Sequence, residues 1–387
     1  MSEFPTRRSV AKTAVMSGAA LVSGSALFAQ SPTRVDDLIN VRHLGARGDG
    51  KTEDTKALQA AIDSAASNKS AVFVPPGDYL TRELHMRPAI SLVGLPAWDY
   101  WAPGGSVLRL MDANATCLLN LNDARGSTID GLSLYGADLG TNVHGMATSR
   151  AAFRDHEDAL RIERCQVTHF TGDGLHFERV WVHSLRHSMI AHNKGDGFNF
   201  HGWDAFILDN WLTNNGKAGY AARFENEGAA VTFTANRVEW NKEENMLIVG
   251  SDGYQITGNF FDRAGTCGLA LRRGPKYPGR KATITGNLFN RSGKLAKTEG
   301  HDSCHIFLDG CWAVTCVGNN FAIGQDDGEK GRFSPEFGIV YQGLENCVIT
   351  NNVLHEGALR ALLVDLGGDH EGVIIRDNPG KLFAVRK

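Results

Sequence analysis

The sequence predicts an all-β protein, a single-stranded parallel β-helix with an N-terminal capping helix. Three observations predict it. A polar marker recurs every 22 to 33 residues, and each interval holds short apolar runs with no helical stretch. Glycine, at 44 of 387 residues, exceeds its usual share of about 7% without a Gly-X-Y period, so the chain turns often. With 42% hydrophobic and 21% charged residues there is ample material for a core.

The elements follow in chain order. Residues 1–30 read as a leader: Thr6-Arg7-Arg8-Ser9-Val10-Ala11-Lys12 precedes the apolar, small-residue stretch Ala14 to Phe28 and resembles a twin-arginine export signal, with removal expected near Ala29 to Ser31. Residues 31–387 are expected to form one domain outside the cytoplasm, with a capping segment at about 41–80 and repeats at about 120–380. From Thr55 to Ala66, the residues Ala57, Leu58, Ala61, Ile62 and Ala65 recur at helical spacing, with Asp54 or Thr52 able to cap the helix that plugs the end of the stack. Ala71-Val72-Phe73-Val74 then reads as a first strand, leaving into the tight corner Pro75-Pro76-Gly77-Asp78-Tyr79.

The repeats carry most of the chain. Asn210, Asn236, Asn259, Asn287, Asn320 and Asn352 stand 26, 23, 28, 33 and 32 residues apart, with Cys165 and Ser188 in the same slot upstream and Asn378 closing the series. A unit this small cannot bury its own apolar face, but units stacked about 4.8 Å apart pair their backbones and enclose a common core. Asparagine suits the corners because it tolerates left-handed backbone angles and can bond to the same residue one rung away. The longest interruptions, Tyr135 to Asp155, Arg273 to Arg280, Gly293 to Ser303 and Gly324 to Ser334, are expected to be loops that shape a binding surface.

Two stretches resemble a known group. Gly45-Ala46-Arg47-Gly48-Asp49-Gly50-Lys51-Thr52-Glu53-Asp54-Thr55, followed by Val74-Pro75-Pro76-Gly77-Asp78-Tyr79, is similar to the N-terminal signature of the pectate lyase superfamily, in its rhamnogalacturonase/epimerase-like and polygalacturonase-related branch. The resemblance implies a right-handed coil and action on polysaccharides, often acidic ones. It carries over no catalytic residues: the Asn-Thr-Asp and Gly-His-Gly of polygalacturonases are missing, and Asp326-Asp327 alone matches weakly.

Site residues are therefore read from rung positions. Two places after the marker, Val167, Ile190, Leu212, Val238, Phe261 and Phe289 form an apolar column that should face inward. The residues on either side then face out, which makes Glu239 and Asp262 neighbours on adjacent rungs beside Trp211, Arg237 and Phe260. Paired carboxylates suit acid/base cleavage of glycosidic bonds, and flat rings suit sugar faces; the alternative is that both acids are surface residues paired with Arg237 or Arg263. A second acidic column contains Gly172-Asp173-Gly174 and Gly195-Asp196-Gly197, where Asp196 is a third catalytic candidate unless it only ties a turn. Farther on, one outward position holds His176 and Asn199, and another holds Glu178, His201, Arg223, Val249 and Arg272. Seven of the fourteen histidines fall between His156 and His201, with His169 and His192 in one column; a stacked polar corner fits better than a metal site, since no compact ligand spacing occurs. His201 is the candidate of these for substrate contact.

The expected function is a secreted carbohydrate-active enzyme that cleaves or rearranges glycosidic bonds with Glu239, Asp262 and Asp196. Its alternatives are a lyase of uronate chains, with Arg223, Arg272, Lys242 or His201 as base or charge neutraliser and calcium as a possible cofactor, and a non-catalytic glycan-binding coil. No cofactor is otherwise expected. The net charge of -3 argues against a nucleic-acid partner. No membrane partner is expected after leader removal, and a homo-oligomer is open. Seven dispersed cysteines, Cys117, Cys165, Cys267, Cys304, Cys311, Cys316 and Cys347, read as small buried hydrophobes, with a disulfide possible among the last four.

Overall fold

The computed structural model describes residues 38–150, 155–223, 229–293, 295–296, 300–323 and 334–384. The leader expected over residues 1–30 lies outside them, as do parts of the last two expected loops. Strands from successive turns pair in parallel to make three walls. The first wall is a 13-stranded sheet among the described residues, from Asp49–Glu53 to Gly380–Lys381. The second wall holds strands such as Tyr220–Arg223, Met246–Val249 and Leu269–Arg272, and the third holds Ala229–Thr234, Asp252–Thr257 and Arg280–Thr285. These two walls join in one 22-stranded sheet, because Leu175–Arg186 and Phe198–Leu208 run from one into the other. A register shift between Glu178 and Val180 marks the bend.

The units coil in phase. Val167 pairs with Ile190, Ile190 with Leu212, Leu212 with Val238, Val238 with Phe261 and Phe261 with Phe289, and all six side chains are buried in the core. Phe261, Phe289 and Phe321 stack at 4.8 and 5.0 Å between ring centres, so the rung spacing sets the ring spacing.

The asparagines form a side-chain ladder in which Nδ2 of Asn210 donates to Oδ1 of Asn236, and so on through Asn259, Asn287, Asn319, Asn352 and Asn378, at 2.9–3.1 Å. The fifth marker is thus Asn319 rather than Asn320, and the last two spacings are 32 and 33 residues. Left-handed angles belong to the residue before the marker, Asp209 (φ 58°), Ala235 (56°) and Gly258 (65°), and not to the asparagine as expected. The asparagine instead faces inward, where it satisfies backbone that would otherwise be orphaned. Asn236 accepts from Asn210 N and Nδ2 and donates to Ile207 O and Asn259 Oδ1, filling all four of its sites. A second ladder runs from Asn193 to Asn215 to Asn241, with spacings of 22 and 26 residues that match the first.

The helix spans Thr55–Asn68 and buries Leu58, Ala61, Ile62 and Ala65. Asp54 does not cap it: its carboxylate turns back to accept the Arg47 and Gly48 amides at 2.7 and 2.9 Å. Gly48 has φ 61°, and a Cβ there would meet the Tyr79 ring at 2.6 Å, so the two halves of the N-terminal signature are one packed unit. Ala71–Phe73 is not the first strand, since Leu38–Asn40 pairs beside it. Within the stretch expected to be a loop from Tyr135 to Asp155, the strand His144–Ser149 pairs with Cys117–Asn120 and with Leu175–Arg186, adding a rung to the second wall. Among the described residues no helix is long and apolar enough to cross a membrane.

Candidate active site

The outer face of the second wall gathers titratable groups. Leu175, Phe177, Phe198 and Phe200 point into the core, so the alternate residues His176 and Asn199 face out, paired across adjacent rungs as expected. Ahead of each strand, a Gly-Asp-Gly corner places an aspartate at the edge of this face. The Asp173 Oδ1 accepts the Asp196 amide at 2.8 Å, and the Asp196 Oδ1 accepts the Ala218 amide at 2.9 Å. A Cβ at Gly195 would come within 2.2 Å of the Asp173 carboxylate, which explains the glycine. The aspartates therefore do tie the corners, and they retain lone pairs for more.

At Asp173 the second oxygen meets two imidazoles. The Oδ2 lies 2.7 Å from His176 Nδ1, 3.6 Å from His144 Nδ1 and 3.3 Å from the Asn199 amide nitrogen. The rings of His144 and His176 stand 4.4 Å apart. His144 Nδ1 accepts the Asp173 backbone N–H at 2.9 Å, which leaves the proton of the neutral ring on Nε2. Burial pushes His144 down to about 4, the nearby Asp173 charge opposing. The Asp173 hydrogen bond raises His176 against its own burial. Burial would lift Asp173, but its bond to His176 and the neighbouring His144 hold it below the usual carboxylate range. Burial and the Asp173 carboxylate thus push two touching imidazoles in opposite directions, His144 down and His176 up, an arrangement suited to acid/base work. The far nitrogen of His176, Nε2, lies 3.5 Å from Glu178, whose side chain is half exposed.

Cations flank these groups. Arg223 donates to Asp196 at 2.6 and 3.3 Å, and although burial opposes its charge, the Asp196 partnership raises its affinity for the proton. Arg272 binds Asp302 at 2.7 Å, approaches Glu244 at 3.6 Å and lies 4.9 Å over the Phe307 ring. Glu178 pairs across the rungs with His201, and Arg223 with Val249 and Val249 with Arg272, which gives two pieces of the expected polar stripe. Burial lowers His201, with Arg179 adding to the effect.

The carboxylates expected to be catalytic are placed differently. Glu239 and Asp262 are neighbours on the outer side of the first wall, but they are only 3% and 0% exposed. Trp211 Nε1 and Arg237 Nε each donate to Glu239 Oε1 at 2.8 Å, while Arg291 binds Asp262 at 3.0 and 2.7 Å and Arg263 binds it as well. Burial raises Asp262, with the two arginines opposing. A layer of arginine and tryptophan closes over both acids, so neither presents an oxygen to a substrate. Asp196 is likewise buried, with both oxygens engaged. Trp211 stacks on Tyr100 at 4.9 Å, and Arg237 lies 4.6 Å over Phe260. His169 and His192 form the expected stacked corner at 5.3 Å.

Sequence reading named Asp173 and His176 without joining them and missed His144, hidden in the supposed loop. Among the described residues, His144, Asp173 and His176 are the one group of His, Cys, Asp and Glu side chains that could hold a metal ion, their ligand atoms within 4.8 Å of one another. Two of its three donors are imidazoles, whereas calcium takes oxygen.

Comparison with known proteins places these features. Residues 38–99 match the family described as rhamnogalacturonase A/epimerase, pectate lyase-like, and residues 150–321 match the right-handed β-helix region. The chain is 28% identical over 181 residues to mannuronan C5-epimerase AlgE6 of Azotobacter vinelandii, covering 41% of this chain and 20% of that protein. It is 27% identical over 201 residues to alginate lyase 7 of the same organism, covering 41% and 23%. It therefore spans about a fifth of the length of these relatives. Among solved structures, the AlgE6 A-module is similar over 88% of this chain and 97% of that one, with TM-score 0.58 and 18% identity. Gene product 12 of bacteriophage phi29 is similar over 83% and 46%, with TM-score 0.62 and 14% identity.

Proposed function

We propose, from the premise that this chain belongs to the pectate lyase-like right-handed β-helix superfamily, that it is a carbohydrate-active enzyme which removes a proton from the carbon beside the carboxylate of a uronate-containing polysaccharide. The observation that carries this reading is the contact of two imidazoles around Asp173, with His176 bonded to its carboxylate at 2.7 Å and buried His144 accepting its backbone N–H at 2.9 Å. Relatives named as a mannuronan epimerase and an alginate lyase support an acidic glycan as substrate. The twin-arginine-like motif at Arg7 and Arg8 is in keeping with export to such a substrate.

In this reading His176 is the base. Its Nδ1–H is committed to Asp173, so the lone pair of the neutral ring sits on Nε2, which takes the proton. The electron pair left on carbon moves into the substrate carboxylate, where the Arg223 charge stabilises it. Asp196 positions Arg223, and the Asp196 amide fixes Asp173 in turn. Two exits balance the step. The neighbouring glycosidic oxygen leaves and takes the proton that His176 Nε2 has just gained, and a carbon–carbon double bond remains; or water reprotonates the carbon on its opposite face, His176 returns its proton to solvent and the bond stays intact. Hydrolysis by Glu239 and Asp262 loses its support, because a buried, arginine-neutralised pair cannot reach a glycosidic oxygen.

The experiment is turnover on alginate, polygalacturonate and a neutral glucan, read by ultraviolet absorbance of an unsaturated product and by product mass. Activity confined to acidic polymers and lost by about 10²-fold or more in His176→Gln fits the proposal. Activity on the neutral glucan alone, with water added, contradicts it.

A further inference from the structure

We propose that the first wall carries a second glycan site, separate from the His144, Asp173 and His176 cluster on the second wall, that binds the acidic chain without reacting with it. It rests on the proposed action on a uronate polymer. The segment from Pro96 to Gly105 folds back over this wall: Asp99 O accepts from Gln166 Nε2 at 2.8 Å, and Trp98 Nε1 donates to Arg164 O at 3.4 Å. It delivers Tyr100 onto Trp211 at 4.9 Å with 26° between the planes, and onto His192 at 4.9 Å. Trp101, 4.6 Å from Tyr100, is 80% exposed.

Grooves lie on both sides of this ridge. One, of about 420 Å³, is lined by Trp98, Met189, Trp211 and Arg237; the other, of about 330 Å³, is lined by His169, His192, Lys194 and Lys242. An exposed tryptophan on a stacked support offers a flat apolar face of the kind that sugar rings cover. A cation in each groove supplies partners for carboxylates on the rings beyond the stacked one, which a neutral glycan would not use. Asp138 binds Lys194 at 3.3 Å, and in the other groove Glu239 binds Arg237 at 2.8 Å beside Asp209, so part of each charge is offset and Lys242 is the stronger contributor. Lys194 directly precedes the Gly195-Asp196 corner, so one polymer can run from this ridge toward the second wall.

Affinity electrophoresis in gels containing alginate, with dextran as the neutral control, tests the site. The His176→Gln background keeps the polymer intact, so retardation reports binding whatever the chemistry. The expected result is retardation by alginate only, weakened about tenfold by Trp101→Ala and again by Lys242→Glu, and unchanged by Trp312→Ala, an exposed tryptophan at the start of the third wall. Equal retardation by dextran, or full retardation in the Trp101→Ala, Lys242→Glu double variant, overturns the second site. Retardation lost in that double variant while the unmutated chain turns over no acidic polymer supports the site and counts against the catalytic reading alone.

Discussion

His176 Nδ1 lies 2.7 Å from Asp173 Oδ2, three residues back in the chain and at the mouth of the same strand. This contact orients the ring and raises its proton affinity, and it is made where the coil leaves a corner that the same aspartate helps to hold.

Asp173→Asn tests that dual role. The raised His176 falls toward its ordinary value, so the acid limb of the pH–rate profile moves to lower pH while the maximum rate falls by about 10²-fold. A shared loss of rate with no shift of the limb would mean that Asp173 serves only the corner. The profile is measured on acidic polymer, with thermal unfolding as the check on folding.

His183 sits in the core against Phe177, Phe198 and Phe200, and burial holds it down to about 3. The unfolded ring binds a proton near pH 6.5 and the folded one does not. Stability from this group is therefore complete above that value, and it falls by about 1.4 kcal/mol per pH unit between pH 6.5 and 3. His305 behaves in the same way, also held down to about 3 by burial. The variant His183→Phe is expected to lose part of the acid sensitivity, measured as urea midpoints at pH 7 and pH 5.

The asparagine ladder should be strongest in its interior. Asn236→Ala strips partners from Ile207 O, Asn210 and Asn259 and is expected to cost about 2–5 kcal/mol. Asn378→Ala, at the end of the ladder, should cost less. Denaturant titration of the two variants gives the comparison.

Asp262 is a structural ion-pair centre. Asp262→Asn leaves Arg291 and Arg263 buried beside a neutral amide and should destabilise the fold by about 3–5 kcal/mol, while the folded fraction keeps its turnover. A stable variant without activity would restore this residue to the chemistry.

The fold was legible because stacking turns spacing into contact: residues 23 apart, such as Val238 and Phe261, become neighbours, and every rung repeats the same apolar position. The site was legible only in part. His176, Asn199 and the Gly-Asp-Gly corners sit in regular units and could be aligned, whereas His144 belongs to a rung whose marker is missing. The sealing of Glu239 and Asp262 depends on the reach of Arg237, Arg263 and Arg291, which a column of letters does not contain. The folding-back of Tyr100 over Trp211 joins segments more than a hundred residues apart that no period links.

The most direct measurement is hydrogen exchange at the sugar carbon beside the carboxylate, with acidic polymer incubated in deuterated water and the products analysed by mass and nuclear magnetic resonance. The account predicts deuterium at that carbon in intact chains, or scission without added water, in either case abolished by His176→Gln. Scission by the unmutated chain that adds water and leaves that carbon and its hydrogen untouched would contradict it.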